Sequence, residues 1–494
     1  MFAPPSPKRG VTLVPTSISA RALFSAEGNH RSHLGSAGDV SGWQIPSWDL
    51  TIPVSVDRST HSEPAFRKEL ISTLGRQSAS GLQRQPDPRA RSPKPEAGSR
   101  SPEPDSARMF APFPKLFMNA SGDPFHVEAA IERAWTLPAT LYTDPSVFEA
   151  EKEKIFSRTW QVVGHAGQVA NAGDYFTTEL VGEPLLVVRG TDGRLRGFYN
   201  VCRHRAGPPA SGCGSRKLFR CGYHGWTYGL DGSLISATEI EGVEEFRPEE
   251  FALIPIRIAE WFNLVFVNLD PQAQPLLDSF GELSMQAEKF PFTSMKLFER
   301  RTYDVKCNWK TYVDNYLEGY HLPSVHPGLN RELDYNAYVV EPHMPRLDGP
   351  GQPKRFSGYV RQFSPIRGAQ PGDATPRRYQ EASGDLTTDY FWIFPNWMLN
   401  CYPDNVSLNI VLPVEPERTL AIFEWYLAEK DHSAPAAKAS VGFSDQIQIE
   451  DAAICEAVQQ NLRSRSYSRG RFSVQQEKGV HAFHRMYAEV MQER

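Results

Sequence analysis

The sequence predicts an α+β protein with two unlike parts, and three observations lead to that class. Residues 173–201 alternate in the manner of half-buried strands, and Asp192-Gly193 and Asp231-Gly232, each flanked by apolar residues, are hairpin turn signals. Residues 158–275 are therefore expected to be mostly antiparallel β. From about 285 onward, strand-like stretches at 408–413 and 420–427 are mixed with helix-like runs at 308–320 and 445–462, which makes 285–494 a second, α+β part. Ahead of both, 109–157 carries two helix-like runs, 127–135 and 145–156, and no segment of the chain repeats another.

The first 108 residues read differently. They contain 18 Ser, 13 Pro and 8 Gly but five aromatic residues and no Cys, too little apolar surface to offset the entropy of ordering. With 14 Lys and Arg against 10 Asp and Glu, 1–108 is expected to be a basic, disordered, Ser/Pro/Arg-rich leader. Its first acid is Glu27, and Lys8, Arg9 and Arg21 amid Ser and Ala are compatible with an organelle transit peptide. An equal alternative is translation from an upstream start, since Met109 opens an abrupt change of composition. The expected compartment is the cytoplasm, or an organelle if the leader is a transit peptide.

Composition excludes several classes of function. A length of 494 residues is enough for about three packed units. No uninterrupted run of 18 apolar residues occurs, so no membrane span is expected. Fifty-three basic against 58 acidic residues leave a formal charge of −5, too balanced for a nucleic-acid-binding field. Six cysteines are too sparse for a secreted disulfide framework.

Two constellations carry the chemistry. Cys202-Arg203-His204 and Cys221-Gly222-Tyr223-His224 supply two thiolates and two imidazoles, a set that suits tetrahedral zinc or a [2Fe–2S] cluster. Both pairs lie in Gly-bearing loops, at Gly207 and Gly222, which favours a cluster because such loops aim backbone N–H groups at its sulfurs. Cys213 falls outside the pattern, as a spare residue of the intervening loop. In the second constellation Asn308-Trp309-Lys310 opens a helix-like run through Glu318 to His321, which breaks at Pro323 and delivers His326. Glu318 and His321, three apart, are expected to share a helical face. Two imidazoles and one carboxylate make the facial triad of non-haem Fe(II), and the carboxylate has to come from elsewhere. His481 and His484 read as residues of a surface or packed helix, and His165, His343 and His432 have no ligand partners in the sequence.

The Cys-x-His, Cys-x-x-His pattern followed by Gly225-Trp226 resembles the Rieske family. In that family the two Cys hold one iron and the two His the other. Gly207 and Tyr223 stand where high-potential members carry an extra disulfide, which implies the low-potential type. The run from Asn308 to His326 looks like the mononuclear-iron signature of Rieske non-haem iron oxygenase α subunits. The resemblance implies a mostly β Rieske [2Fe–2S] domain at 158–275 and a helix-grip catalytic domain with an antiparallel sheet at 285–494, completed by 109–157. It implies that His321 and His326 hold a mononuclear Fe(II). The third ligand is carried over to Asp451, with Asp445, Glu450 and Glu456 as competing acids. Glu318 takes the place of a bridging carboxylate between the cluster of one subunit and the iron of its neighbour in a homotrimer, although Asp is commoner there among ring hydroxylases.

Both sites together imply a terminal oxygenase that activates O2 and hydroxylates a small molecule. Lacking a flavin or nicotinamide fingerprint, it is expected to take electrons ultimately from NAD(P)H through a separate reductase and, in one arrangement, a ferredoxin. The alternative is an electron-transfer Rieske protein whose second domain only binds a ligand. For the substrate, Tyr390-Phe391-Trp392-Ile393-Phe394 and 470–484 look like the choline monooxygenase branch, so an alkylammonium ion is weighed beside an aromatic acid or ether. Because Trp392 and Phe394 alternate with Phe391 and Ile393, only one of the two sets can line a pocket.

Overall fold

In the computed structural model of the chain the described residues are 122–287, 290, 292–344, 358–367, 387–433 and 435–492. The leader expected over 1–108 lies outside them. No helix among the described residues is long and apolar enough to cross a membrane.

The first part is built on a seven-stranded sheet whose neighbours run Gln161–His165, Leu264–Asn268, Pro255–Trp261, Leu195–Tyr199, Glu183–Arg189, Asp174–Leu180 and Cys213–Ser215. Every pairing is antiparallel. Both hairpin signals act as expected, since Gly193 and Gly232 adopt φ of 77° and 84°, which other residues enter only at a steric cost. A three-stranded sheet of Phe219–Arg220, Thr227–Tyr228 and Leu234–Ser236 carries the second Cys-His loop. Cys213, expected in a loop, is instead exposed on the edge strand Cys213–Ser215.

The second part is a seven-stranded antiparallel sheet in the order Lys296–Val305, Arg418–Leu427, Asn405–Glu415, Trp397–Cys401, Thr387–Ile393, Tyr359–Pro365 and Val339–His343. On one face, Trp392, Phe394, Met398, Phe423 and Trp425 share a core with helices Trp309–Tyr316, Pro435–Leu462 and Lys478–Gln492. The other face packs Phe391, Ile393, Trp397, Leu399 and Ile410 against Trp160, Val162, Leu264 and Phe266 of the first part. Across that junction the His165 imidazole meets Glu424 Oε2 at 2.7 Å, while within the second sheet Arg300, opposite Glu424 on the neighbouring strand, reaches its Oε1 at 3.2 Å.

Three local expectations are corrected. Residues 127–135 form turns, because their backbone is tied to the C-terminal segment: His481 Nε2 lies 2.8 Å from Glu128 O, and Trp135 bridges to Arg471. Residues 145–156 are helical, beginning with the Asp144 cap and Pro145 and passing into a π-turn at Lys152–Phe156. The helix expected over 308–320 stops at Tyr316, so Glu318 lies beyond it. The Gln362 amide donates to Tyr316 O at 2.8 Å, occupying the carbonyl that another helical turn would use. Finally, the helix expected at 445–462 starts earlier and runs Pro435–Leu462.

Two candidate metal centres

Both Cys-His loops are the same turn made twice. Cys202 N donates to Gly207 O at 2.9 Å and Ala206 N to Cys202 O at 3.0 Å; Cys221 N donates to Trp226 O at 2.8 Å and Gly225 N to Cys221 O at 3.0 Å. Ala206 and Gly225, at matching places, both take positive φ. The folded loops bury Cys202 and Cys221, 3% and 2% exposed, while His204 is exposed and His224 half-buried. The imidazole rings lie 4.6 Å apart, and Trp226 stacks on His204 at 4.8 Å. Loss of part of its water shell to these neighbours, with the nearby His224 and Arg205, lowers the pKa of the exposed His204 ring. Behind the loops the Tyr228 hydroxyl meets Cys202 Sγ at 3.2 Å and accepts from Arg203 N at 3.0 Å. A Cβ added to Gly207 would come within 2.9 Å of Cys221 Sγ and 3.2 Å of Tyr223, so the two positions noted in the sequence do face each other.

The donor set fits a two-iron cluster better than a single ion. Among the described residues, the group of three or more metal-binding side chains whose donor atoms all lie within 4.8 Å of one another is His321, His326 and Asp451. Tetrahedral zinc with bonds of about 2.0–2.3 Å would draw the Cys202–His224 quartet into such a group. A cluster with two irons and two bridging sulfides spreads its ligands further apart.

The second centre is assembled from the segment after helix Trp309–Tyr316 and from the middle of helix Pro435–Leu462. His321 and His326 flank a one-turn helix, Leu322–Val325, so Pro323, expected to break the run, instead sits in a first helical turn, where its missing N–H costs nothing. His326 Nε2 lies 2.9 Å and His321 Nε2 3.6 Å from Asp451 Oδ1. The other ring nitrogens are held by carboxylates: His321 Nδ1 by Glu318 Oε1 at 2.6 Å and His326 Nδ1 by Glu450 Oε2 at 2.7 Å. These carboxylates fix the Nδ1–H tautomer and aim both Nε2 lone pairs at the space beside Asp451. Burial acts to lower the His326 pKa, but Asp451 and Glu450 overcome it and the net shift is upward. A donor set of two imidazoles and a carboxylate, beside an open cavity, suits Fe(II) with free positions.

The competing acids are engaged elsewhere. Asp445 binds Tyr303 at 2.6 Å and Arg301 at 2.7 Å, Glu456 accepts from Lys306 N at 3.0 Å, and Glu450 backs His326. Glu318 reaches His321 as expected, though from irregular chain and not from a shared helical face; it also accepts from His321 N at 3.0 Å. The Asn308-Trp309-Lys310 run anchors the start of its helix. Asn308 caps it, while Trp309 Nε1 and Lys310 Nζ both bind the buried Glu151, at 2.8 and 2.5 Å. His481 and His484 are packed, His484 against Asp314 at 2.9 Å. His165 is paired with Glu424, and His343 stacks on Tyr359.

Over the triad lies a cleft of about 650 Å³, part of it open to solvent. Neither set of the Trp392 and Phe391 alternation lines it; both are core, as their places on opposite faces of the sheet dictate. Its aromatic lining is Tyr312, Tyr316, Tyr338, Tyr390 and Tyr402. Of these only Tyr390 stands in the aromatic stretch that the sequence singles out; Tyr312, Tyr316, Tyr338 and Tyr402 are missed, and with them Asn400 and Asn409. The available signal is Asn405-Val406-Ser407-Leu408-Asn409-Ile410, where polar residues alternate with apolar ones in a strand buried on both sides.

Comparison with known proteins agrees with this geometry. Residues 159–247 match the Rieske [2Fe-2S] domain, and residues 292–493 match the ring hydroxylating alpha subunit (catalytic domain). The chain is 34% identical over 380 residues to the chloroplastic choline monooxygenase of Arabidopsis thaliana, spanning 73% of this chain and 84% of that protein. It is 33% identical over 374 residues to the carnitine monooxygenase oxygenase subunit of Escherichia coli (strain K12), spanning 73% and 95%. A solved structure of the quaternary ammonium Rieske monooxygenase CntA with L-carnitine superposes with a TM-score of 0.61 at 29% identity, over 73% of this chain and 96% of that one. With both domain types in one chain the electron-carrier alternative is not favoured, and the protein belongs to the Rieske non-haem iron oxygenases, as a terminal oxygenase with a Rieske domain and a ring-hydroxylating α-subunit catalytic domain.

Proposed function

We propose that this oxygenase hydroxylates a small alkylammonium ion, and the lining of the cleft carries the reading. Five tyrosines surround a space whose ionisable groups are Glu318, Asp451 and two histidines, and none of its described lining residues is Lys or Arg. Aromatic faces attract such cations by about 0.5–2 kcal/mol per contact. Glu318, which is not among the residues assigned to the iron, adds to that attraction, whereas an aromatic acid would find no basic side chain among the described lining residues. The names of the choline and carnitine monooxygenase relatives support the same class.

In this reading Cys202, His204, Cys221 and His224 hold the [2Fe–2S] cluster, and His321, His326 and Asp451 hold the mononuclear Fe(II). When bound, the iron supplies dioxygen activation with electrons delivered by the cluster. The chain's own groups hold the substrate among the tyrosines, fix the two imidazoles through Glu318 and Glu450, and bring the imidazole side of the cluster to the surface. Glu318 serves as the relay between the cluster of one subunit and the iron of the next in a homotrimer. Electrons come ultimately from NAD(P)H through a separate reductase, directly or by way of a ferredoxin. The test is oxygen uptake by the full chain with a surrogate reductase: uptake coupled to product is expected with alkylammonium ions, and uptake confined to aromatic acids or ethers would refute the assignment. Fusing residues 1–108 to a fluorescent reporter decides between the cytoplasm and an organelle addressed by the basic leader.

A further inference from the structure

Asn409 sits on the cleft-facing side of strand Asn405–Glu415, 1% exposed, and neither its Oδ1 nor its Nδ2 has a hydrogen-bond partner. Its polar neighbours on that face are paired. Asn405 donates to Ser440 Oγ at 3.3 Å, Asn400 donates to Ser407 Oγ at 3.1 Å, and Asn400 Oδ1 accepts from the Tyr316 hydroxyl at 2.6 Å. The tyrosines of the cleft are likewise engaged with one another or with amides: Tyr390 with Tyr402 at 3.2 Å and Tyr338 with Gln362 at 3.2 Å. An amide buried with both ends unpaired opposes folding, so its presence is accounted for when a ligand completes it.

We propose that Asn409 is a specificity-determining residue of this cleft, receiving a neutral hydroxyl of the substrate by donating through Nδ2 and accepting through Oδ1. The proposal rests on the alkylammonium reading above and adds to it the second group that the substrate must carry. A hydroxyl both accepts and donates, and so satisfies both ends of the amide. A carboxylate only accepts, so it leaves Oδ1 without a donor and facing an anion. Specificity of this kind is strong because an analogue without the hydroxyl leaves buried polar atoms unpaired.

The experiment uses the full, iron-loaded chain and calorimetric titration with choline, propyltrimethylammonium and gamma-butyrobetaine. The first two differ by a hydroxyl in place of a methyl, and the third carries a carboxylate. Wild type is expected to bind choline about tenfold or more tightly than propyltrimethylammonium, the size of one good hydrogen bond. Asn409→Leu, of similar volume and no polarity, is expected to bind the two equally while its cluster absorbance is unchanged. Asn409→Ala, which removes the amide without adding bulk, gives the same loss should the Leu variant fail to fold. Survival of the choline preference in either variant, or tighter binding of gamma-butyrobetaine than of choline by the wild type, overturns the assignment. Equal binding of choline and propyltrimethylammonium by the wild type overturns the role of Asn409 alone, whereas no binding of any of the three overturns the alkylammonium reading itself.

Discussion

At the scale of single residues, the mononuclear site depends on carboxylates of two kinds. Asp451 faces the Nε2 atoms, while Glu318 and Glu450 hold the Nδ1 atoms. Asp451→Ala is expected to leave the mononuclear site without iron and end turnover, yet keep the cluster's absorbance, because the two donor sets share no residue. Metal analysis beside the visible spectrum checks this. Glu450→Gln keeps a hydrogen-bonding group but loses the charge that makes His326 a better donor, so iron affinity should fall about 10–100-fold with the fold intact; competition with a chelator measures it. Glu318→Gln is expected to leave both metal sites filled and slow oxidation of the reduced cluster in a single turnover with substrate and oxygen. A near wild-type rate would remove Glu318 from the electron path. The proposed Cys and His ligands stood out in the sequence because their spacing is short, as Cys-x-His, Cys-x-x-His and His-x4-His, whereas Asp451, far downstream, was reached only through the family resemblance. Asn409 and most of the tyrosines did not, because apart from Tyr312 and Tyr316, which share one helix, they come from separate segments of the chain that no local pattern joins.

At the scale of elements, the Trp309–Tyr316 helix is held at its start by a buried ion pair. Lys310 and Glu151 are both fully buried, Trp309 and Tyr487 also donate to Glu151, and the Lys310 ammonium lies about 5 Å from the rings of Tyr142, Trp309 and Tyr487. Burial lowers the Lys310 pKa, and Glu151 opposes that shift. Lys310→Met removes one charge and strands the other, so a loss of about 3–5 kcal/mol is expected from denaturant unfolding. The double variant Lys310→Met, Glu151→Leu should recover much of it. The strands at 408–413 and 420–427 and both hairpin turns were legible because alternation and Asp-Gly pairs are local signals. Helix ends were less so. Tyr316 ends its helix because Gln362, 46 residues later, takes its carbonyl, and 127–135 is unwound by contacts with residues beyond 468.

At the scale of the whole molecule, the two parts are joined by charge as well as by apolar packing. Burial tends to raise the Glu424 pKa, but His165, Arg300 and Tyr426 together hold it below the ordinary carboxylate value. A group depressed in the folded state contributes stability that is present above its unfolded pKa and lost as pH falls through the folded one. Glu424→Gln should therefore be less stable than wild type near neutrality, yet lose stability with a shallower slope below about pH 4.5, by up to about one proton. Urea unfolding at a series of pH values reads both effects, and parallel slopes would refute this role. The incoming strand Gln161–His165 and the outgoing strand Leu264–Asn268 of the first part are paired side by side, with Gln161 opposite Val267. The polypeptide thus leaves the catalytic half and returns to it at nearly one point, as a plug-in module would. Such a module could be exchanged with a relative's across a junction of two adjacent strands, provided the newcomer presents an apolar side to Phe391, Trp397 and Ile410; without that cover the remaining half would offer a sticky sheet face and precipitate.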